Sequence, residues 1–124
     1  MYFMEYKKYG DNLELVAIQF SPTEKIYGEA GAMVYMSGNV HMNAKARGGF
    51  MKSLKRSITG ESFFVTDFTV TGGTGIVAFA GNAPGRIKPF EITAGQEYYC
   101  QKDSFLCAEE GVDLDMAFQK KLSG

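Results

Sequence analysis

The residues able to do chemistry are few and scattered along the chain. His41 is the only histidine, so a catalytic triad or a histidine-bearing metal site would have to be built around it. In Val40-His41-Met42-Asn43-Ala44-Lys45-Ala46-Arg47 the alternation is strict, and His41 falls on the polar side with Asn43, Lys45 and Arg47. That is the place of a surface residue on a strand, and no His/Asp/Glu ligand spacing surrounds it. Cys100 and Cys107 are too few and too widely spaced for paired zinc knuckles, and are expected to be buried or half-buried free thiols. Gly72-Gly73-Thr74-Gly75 lacks the Lys-Ser/Thr pair of a phosphate loop and lies between two apolar runs, which makes it a hairpin turn. Seven acids (Glu91, Glu97, Asp103, Glu109, Glu110, Asp113 and Asp115) stand against Lys102 alone between Glu91 and Asp115. Glu109-Glu110-Gly111 reads as a turn, and Asp113 and Asp115 flank Leu114 on the outward side of a strand. The residue order of a calcium loop is absent, so a solvated face is expected. No catalytic residue, metal site or cofactor is assigned.

One cluster points to a ligand. Lys45, Arg47, Lys52, Lys55 and Arg56 put five bases in twelve residues with no acid among them. From Phe50 to Ile58, apolar Phe50, Met51, Leu54 and Ile58 take one side and Lys52, Ser53, Lys55 and Arg56 the other, the pattern of a short amphipathic helix bounded by Gly48-Gly49 and Gly60. A wholly cationic polar face suits the phosphates of lipid or nucleic acid. Each cation close to an anionic membrane is worth ~1 kcal/mol, so the patch gains strength when several copies present it together. Phe63, Phe64 and Phe68 are strand-spaced and belong in a core rather than on a base-stacking platform.

The elements that must carry these residues are short strands. The 124 residues are 45% hydrophobic and 22% charged, a globular composition, and 13 basic against 14 acidic side chains exclude nucleic-acid binding by bulk charge. Neither a membrane-length apolar stretch nor a signal-peptide apolar region at Met1 to Gly10 is present, so a soluble cytoplasmic protein is expected. Strands are predicted over Tyr2 to Lys7, Leu13 to Phe20, Val40 to Ala46, Ser62 to Val70, Gly75 to Ala80, Arg86 to Ile92, Glu97 to Gln101 and Ser104 to Ala108. The fold class is all-β, with the one short helix.

Shifting the chain by 72 positions lays Ile18-to-Tyr27 over Phe90-to-Tyr99. In the same register Leu15 meets Ile87, Met33 and Val34 meet Phe105 and Leu106, and Val40 and Met42 meet Val112 and Leu114. The expected organisation is one domain over residues 1–124, with a first β module at 1–80 and an incomplete second at 81–124. The second has no counterpart of the Phe63-to-Ala80 strands. Unpaired strand edges of this kind invite another chain, so a homo-oligomer, a trimer or larger, is expected.

Glu29-Ala30-Gly31-Ala32-Met33-Val34-Tyr35-Met36-Ser37-Gly38-Asn39-Val40, Lys45-Ala46-Arg47-Gly48-Gly49-Phe50, Leu54-Lys55-Arg56 and Gly60-Glu61-Ser62-Phe63-Phe64 resemble the altered-inheritance-of-mitochondria family. Gly85-Arg86-Ile87, Ser104-Phe105-Leu106 and Gly111-Val112-Asp113-Leu114-Asp115 continue the likeness over nearly the whole chain. The resemblance implies a fold similar to the tryptophan RNA-binding attenuator protein, with three related β modules about a pseudo-threefold axis, that is, duplicated β modules of the double-stranded β-helix or sandwich type. Family members typically continue past the point matching Lys121-Leu122-Ser123-Gly124. The expectation here is therefore either a truncated member or one that completes itself by association. Eukaryotic relatives are linked to mitochondrial inner-membrane organisation, and no catalytic residues carry over.

Taken together, these readings predict a non-enzymatic, oligomeric β scaffold or interaction protein, peripheral to anionic membranes through Lys45, Arg47, Lys52, Lys55 and Arg56. The alternatives are a protein that binds RNA or single-stranded nucleic acid through the same bases, and a small-molecule-binding cupin-like barrel.

Overall fold

The computed structural model describes residues 4–46 and 64–115, and the description that follows is confined to them. They form an all-β structure of two four-stranded antiparallel sheets. The strands are β1 (Glu5–Tyr9), β2 (Leu15–Phe20), β3 (Ile26–Gly28), β4 (Met33–Met36), β5 (Val40–Ala46), β6 (Phe64–Val70), β7 (Gly75–Ala80) and β8 (Cys107–Glu109). One sheet has the order β1-β2-β7-β4 and the other β5-β6-β3-β8. Among the described residues both sheets are open, with β1 and β4 at the edges of one and β5 and β8 at the edges of the other.

Period-two alternation places the core. Val16 and Phe20 of β2 and Val77 and Phe79 of β7 face Ile26 of β3, Val40 of β5 and Phe68 and Val70 of β6 in one buried cluster. Phe68 and Phe79 meet edge to face at 5.4 Å across the two sheets, the arrangement favoured by ring quadrupoles. Tyr27 and Val65, on the opposite face of the second sheet, form a smaller cluster covered by Phe105, Ala108 and Leu114. The Tyr27 hydroxyl donates to the Val112 carbonyl there, so the chain after β8 wraps the back of that sheet.

Several expectations need correction. The apolar side of β5 is not buried along its length: Val40 is, but Met42 and Ala44 are exposed like His41 and Asn43. β5 is the edge of its sheet and runs beyond the core. Residues 86–92 and 97–101 carry the strand pattern but form no strand; only an isolated parallel bridge joins Gly85 to Leu13. A strand needs a partner, and among the described residues none lies beside them. Ser104 to Ala108 resolves into a 3-10 turn, Lys102–Ser104, followed by β8. Residues 112–115 alternate in burial around Leu114 without joining a sheet. The strand predicted from Tyr2 is observed as β1 from Glu5. The Phe50-to-Ile58 helix lies outside the described residues.

Backbone details recur at the 72-residue interval. The amide of Ser21 and that of Thr93 each accept the same treatment, donating to the side-chain oxygen three residues on, Glu24 Oε1 at 2.8 Å and Gln96 Oε1 at 2.9 Å. The 3-10 turn Ala30–Ala32 has its counterpart in Lys102–Ser104. The bond from Val40 N to Ser37 O corresponds to that from Val112 N to Glu109 O. Leu13 and Gly85, the residues joined by the parallel bridge, are themselves equivalent positions.

Candidate functional site

The Gly72-to-Gly75 segment is the β6–β7 turn, as expected, with Gly73 in the left-handed region at φ 71°. It is held by Asn39, whose Nδ2 donates to the carbonyls of Gly72 and Thr74 at 2.8 and 3.0 Å. Ser37 Oγ donates to Asn39 Oδ1 at 2.6 Å and accepts from Ile76 N at 2.9 Å. These polar groups are occupied in locking the β4–β5 turn onto the β6–β7 turn. His41 is exposed on β5 opposite Thr69. Among the described residues no three His, Cys, Asp or Glu side chains converge as a metal-binding group.

Of the five predicted anion-binding residues, the structure places the backbone of Lys45 on β5 opposite Val65. Arg47, Lys52, Lys55 and Arg56 lie outside the described residues. Three of the other bases are in ion pairs: Lys8 with Glu14 at 3.8 Å, Lys25 with Glu110 at 3.6 Å and Arg86 with Asp11 at 2.5 Å. The last of these, with Ile87 N donating to Glu14 Oε1 at 2.5 Å, fixes the start of the 86–101 segment to the β1–β2 connection. Cys107 is half-buried against the core, and burial pushes its thiol up to about 12. Cys100 is exposed, contrary to expectation: among the described residues no strand covers 97–101.

What sequence reasoning did not single out is where the apolar surface concentrates. On β4, at the edge of the first sheet, Val34 and Tyr35 are 51% and 47% exposed. On the unpaired 86–101 segment Phe90, Ile92, Tyr98 and Tyr99 are exposed, Tyr99 by 69%, and the rings of Phe90 and Tyr98 lie 4.7 Å apart. Between the two 3-10 turns lies an open cleft of about 200 Å³, with Glu29, Asn82, Asp103, Phe105 and Leu106 in its wall. The chemical capacity of this surface is adhesion: strand edges offer backbone hydrogen bonds, and exposed aromatic and aliphatic side chains offer apolar area.

The two antiparallel sheets of the described residues define an all-β protein. The match to the family model described as "Mitochondrial biogenesis AIM24" covers residues 6–124, and the chain belongs to this family. An uncharacterised protein of Streptococcus pyogenes serotype M6 is 35% identical over 104 residues, 78% of this chain and 41% of the relative. A Streptococcus pyogenes protein of known crystal structure is similar with a TM-score of 0.57 and 29% identity, over 74% of this chain and 44% of that one. The chain therefore spans about two fifths of the length of the relatives it matches. No helix among the described residues is long and apolar enough to cross a membrane.

Proposed function

We propose that the chain is a non-enzymatic, self-associating β scaffold that docks on anionic membrane surfaces from the cytoplasmic side. The observation that carries this reading is the exposed apolar surface of edge strand β4 and of the non-strand segment 86–101, which have no further strand partner among the described residues, with Val34, Tyr35, Phe90, Tyr98 and Tyr99 open to solvent. Large apolar side chains gathered on unpaired backbone mark an interaction surface. Ser37 and Asn39 clamp two turns, and burial holds the Cys107 thiol in its protonated form.

The membrane part rests on Lys45, Arg47, Lys52, Lys55 and Arg56, a segment that starts at the end of a strand projecting past the core. An oligomer multiplies this charge, and binding free energy rises with the number of copies presented. Co-sedimentation with vesicles containing phosphatidylserine tests it. The wild type is expected to pellet with these vesicles and not with neutral ones, and the triple variant Lys52→Glu/Lys55→Glu/Arg56→Glu to stay in the supernatant. Equal pelleting of the two proteins would remove membrane docking. Salt-sensitive retention of RNA oligonucleotides without vesicle binding would reassign the same bases to nucleic acid.

A further inference from the structure

The chain contains a worked example of how one of its units joins the next. β8 adds to the free side of β3 as an antiparallel strand, with Ile26 opposite Glu109, Tyr27 opposite Ala108 and Gly28 opposite Cys107. By the 72-residue correspondence, β8 (Cys107–Glu109) is the second unit's copy of Tyr35-Met36-Ser37, at the end of β4, and Tyr98-Tyr99-Cys100 is its copy of β3. So the pairing seen is the β3-type strand of one unit with the β4-type strand of the following unit. The other half of each joint is left over. Among the described residues, β4 pairs with β7 on one side and with no strand on the other, and Tyr98-Tyr99-Cys100 pairs with no strand.

We infer that Tyr98-Tyr99-Cys100 of one copy pairs antiparallel with the free edge of β4 in a second copy, in the register of the internal joint. Tyr98 then stands opposite Ser37, Tyr99 opposite Met36 and Cys100 opposite Tyr35 of the second copy. Both edges carry exposed apolar side chains, Val34, Tyr35 and Met36 on one and Tyr98 and Tyr99 on the other. Burying them against each other removes apolar area from water and satisfies two rows of backbone groups at once. Each copy owns both edges, so the contact either closes into a ring or propagates head to tail, and both give at least two chains per particle. This pairing rests on the self-association proposed above and assigns it a surface and a register.

The internal joint also says which side chains come closest. Glu29 N donates to Leu106 O and Glu110 N donates to Lys25 O, both at 2.9 Å. These bonds flank Gly28–Cys107 and Ile26–Glu109, which makes both of them non-hydrogen-bonded pairs, the kind with Cα atoms about 4.5 Å apart. Cys100 and Tyr35 of the second copy inherit that relation, a spacing a disulfide can bridge.

The test uses the full chain carrying Tyr35→Cys, with Cys100 as the native partner thiol. Under mild oxidation most of it is expected to run as a disulfide-linked species of two or more chains on a non-reducing gel. Cys100→Ser in the same background is expected to abolish the product, and Tyr6→Cys, on the exposed β1, to give none. A Tyr35→Cys yield no higher than that of Tyr6→Cys would overturn the pairing. Wild-type hydrogen exchange provides a second reading without substitution: the amides of Tyr99 and Gln101 are expected to be protected at high concentration and to lose protection on dilution. Fast exchange at every concentration would also overturn it. Light scattering of the wild type separates the two claims, because an oligomer lacking the cross-link and the protection removes this register alone, whereas a monomer removes self-association as well.

Discussion

Cys107 and Cys100 occupy opposite environments separated by one 3-10 turn. Burial against the core disfavours the Cys107 thiolate and pushes the thiol from 9.0 up to about 12. The thiolate is the reactive form, so Cys107 is expected to resist iodoacetamide at pH 8 while the exposed Cys100 is alkylated, as read by peptide mass spectrometry. The same shift gives stability a sign. The folded chain keeps the proton to higher pH than the unfolded chain, so the contribution is intact below pH 9 and is lost as the pH climbs towards 12. The wild type is expected to lose up to about 1.4 kcal/mol per pH unit more than Cys107→Ala in that window, measured by urea unfolding. Parallel profiles for the two proteins would contradict the burial.

At the level of elements, β8 is held by a joint with little room. A Cβ on Gly28 would come within 2.7 Å of the Leu106 carbonyl oxygen, 2.9 Å of Phe79 Cε1 and 3.0 Å of Cys107 Cβ. Gly28→Ala is therefore expected to push β8 off β3, raising the exchange rate of the Ala108 amide and costing about 1–3 kcal/mol of stability. An unchanged exchange rate would show that the joint has room for the added Cβ. The strands legible in the sequence are those with a clean alternating run: β5 and β7 fall on the predicted bounds, and β2 starts two residues inside them. β3 and β4 were not among the predicted strands, because runs of three and four residues around Gly28-Glu29-Ala30-Gly31 are too short for periodicity to register. Residues 86–92 and 97–101 fail in the other direction. Their pattern equals that of β2 and β3, yet strand structure belongs to a pair of segments, and the pattern of one does not supply the other. The Gly72-to-Gly75 turn was legible because its chemistry is local. The adhesive edges were not, since exposure of Tyr35 and Tyr98 depends on which strands they lie beside. Of the candidate site, the basic cluster from Arg47 to Arg56 was the sequence's own proposal and lies outside the described residues.

For the whole molecule, averages conceal the arrangement. A near-neutral net charge of -1 covers an all-basic stretch and a mainly acidic later part. An ordinary single-domain length covers a chain whose backbone turns recur after 72 residues and whose strand-patterned segments 86–92 and 97–101 have no strand partner among the described residues. The family relatives are more than twice as long as the part this chain matches, and on the proposed reading a scaffold of repeated β units accounts for both facts through one kind of joint. On that reading the chain does not remain single in solution. Light scattering on the purified chain tests this most directly: the account expects a mass of at least two 13.6 kDa chains, falling on dilution. A constant mass of one chain at every concentration would contradict it.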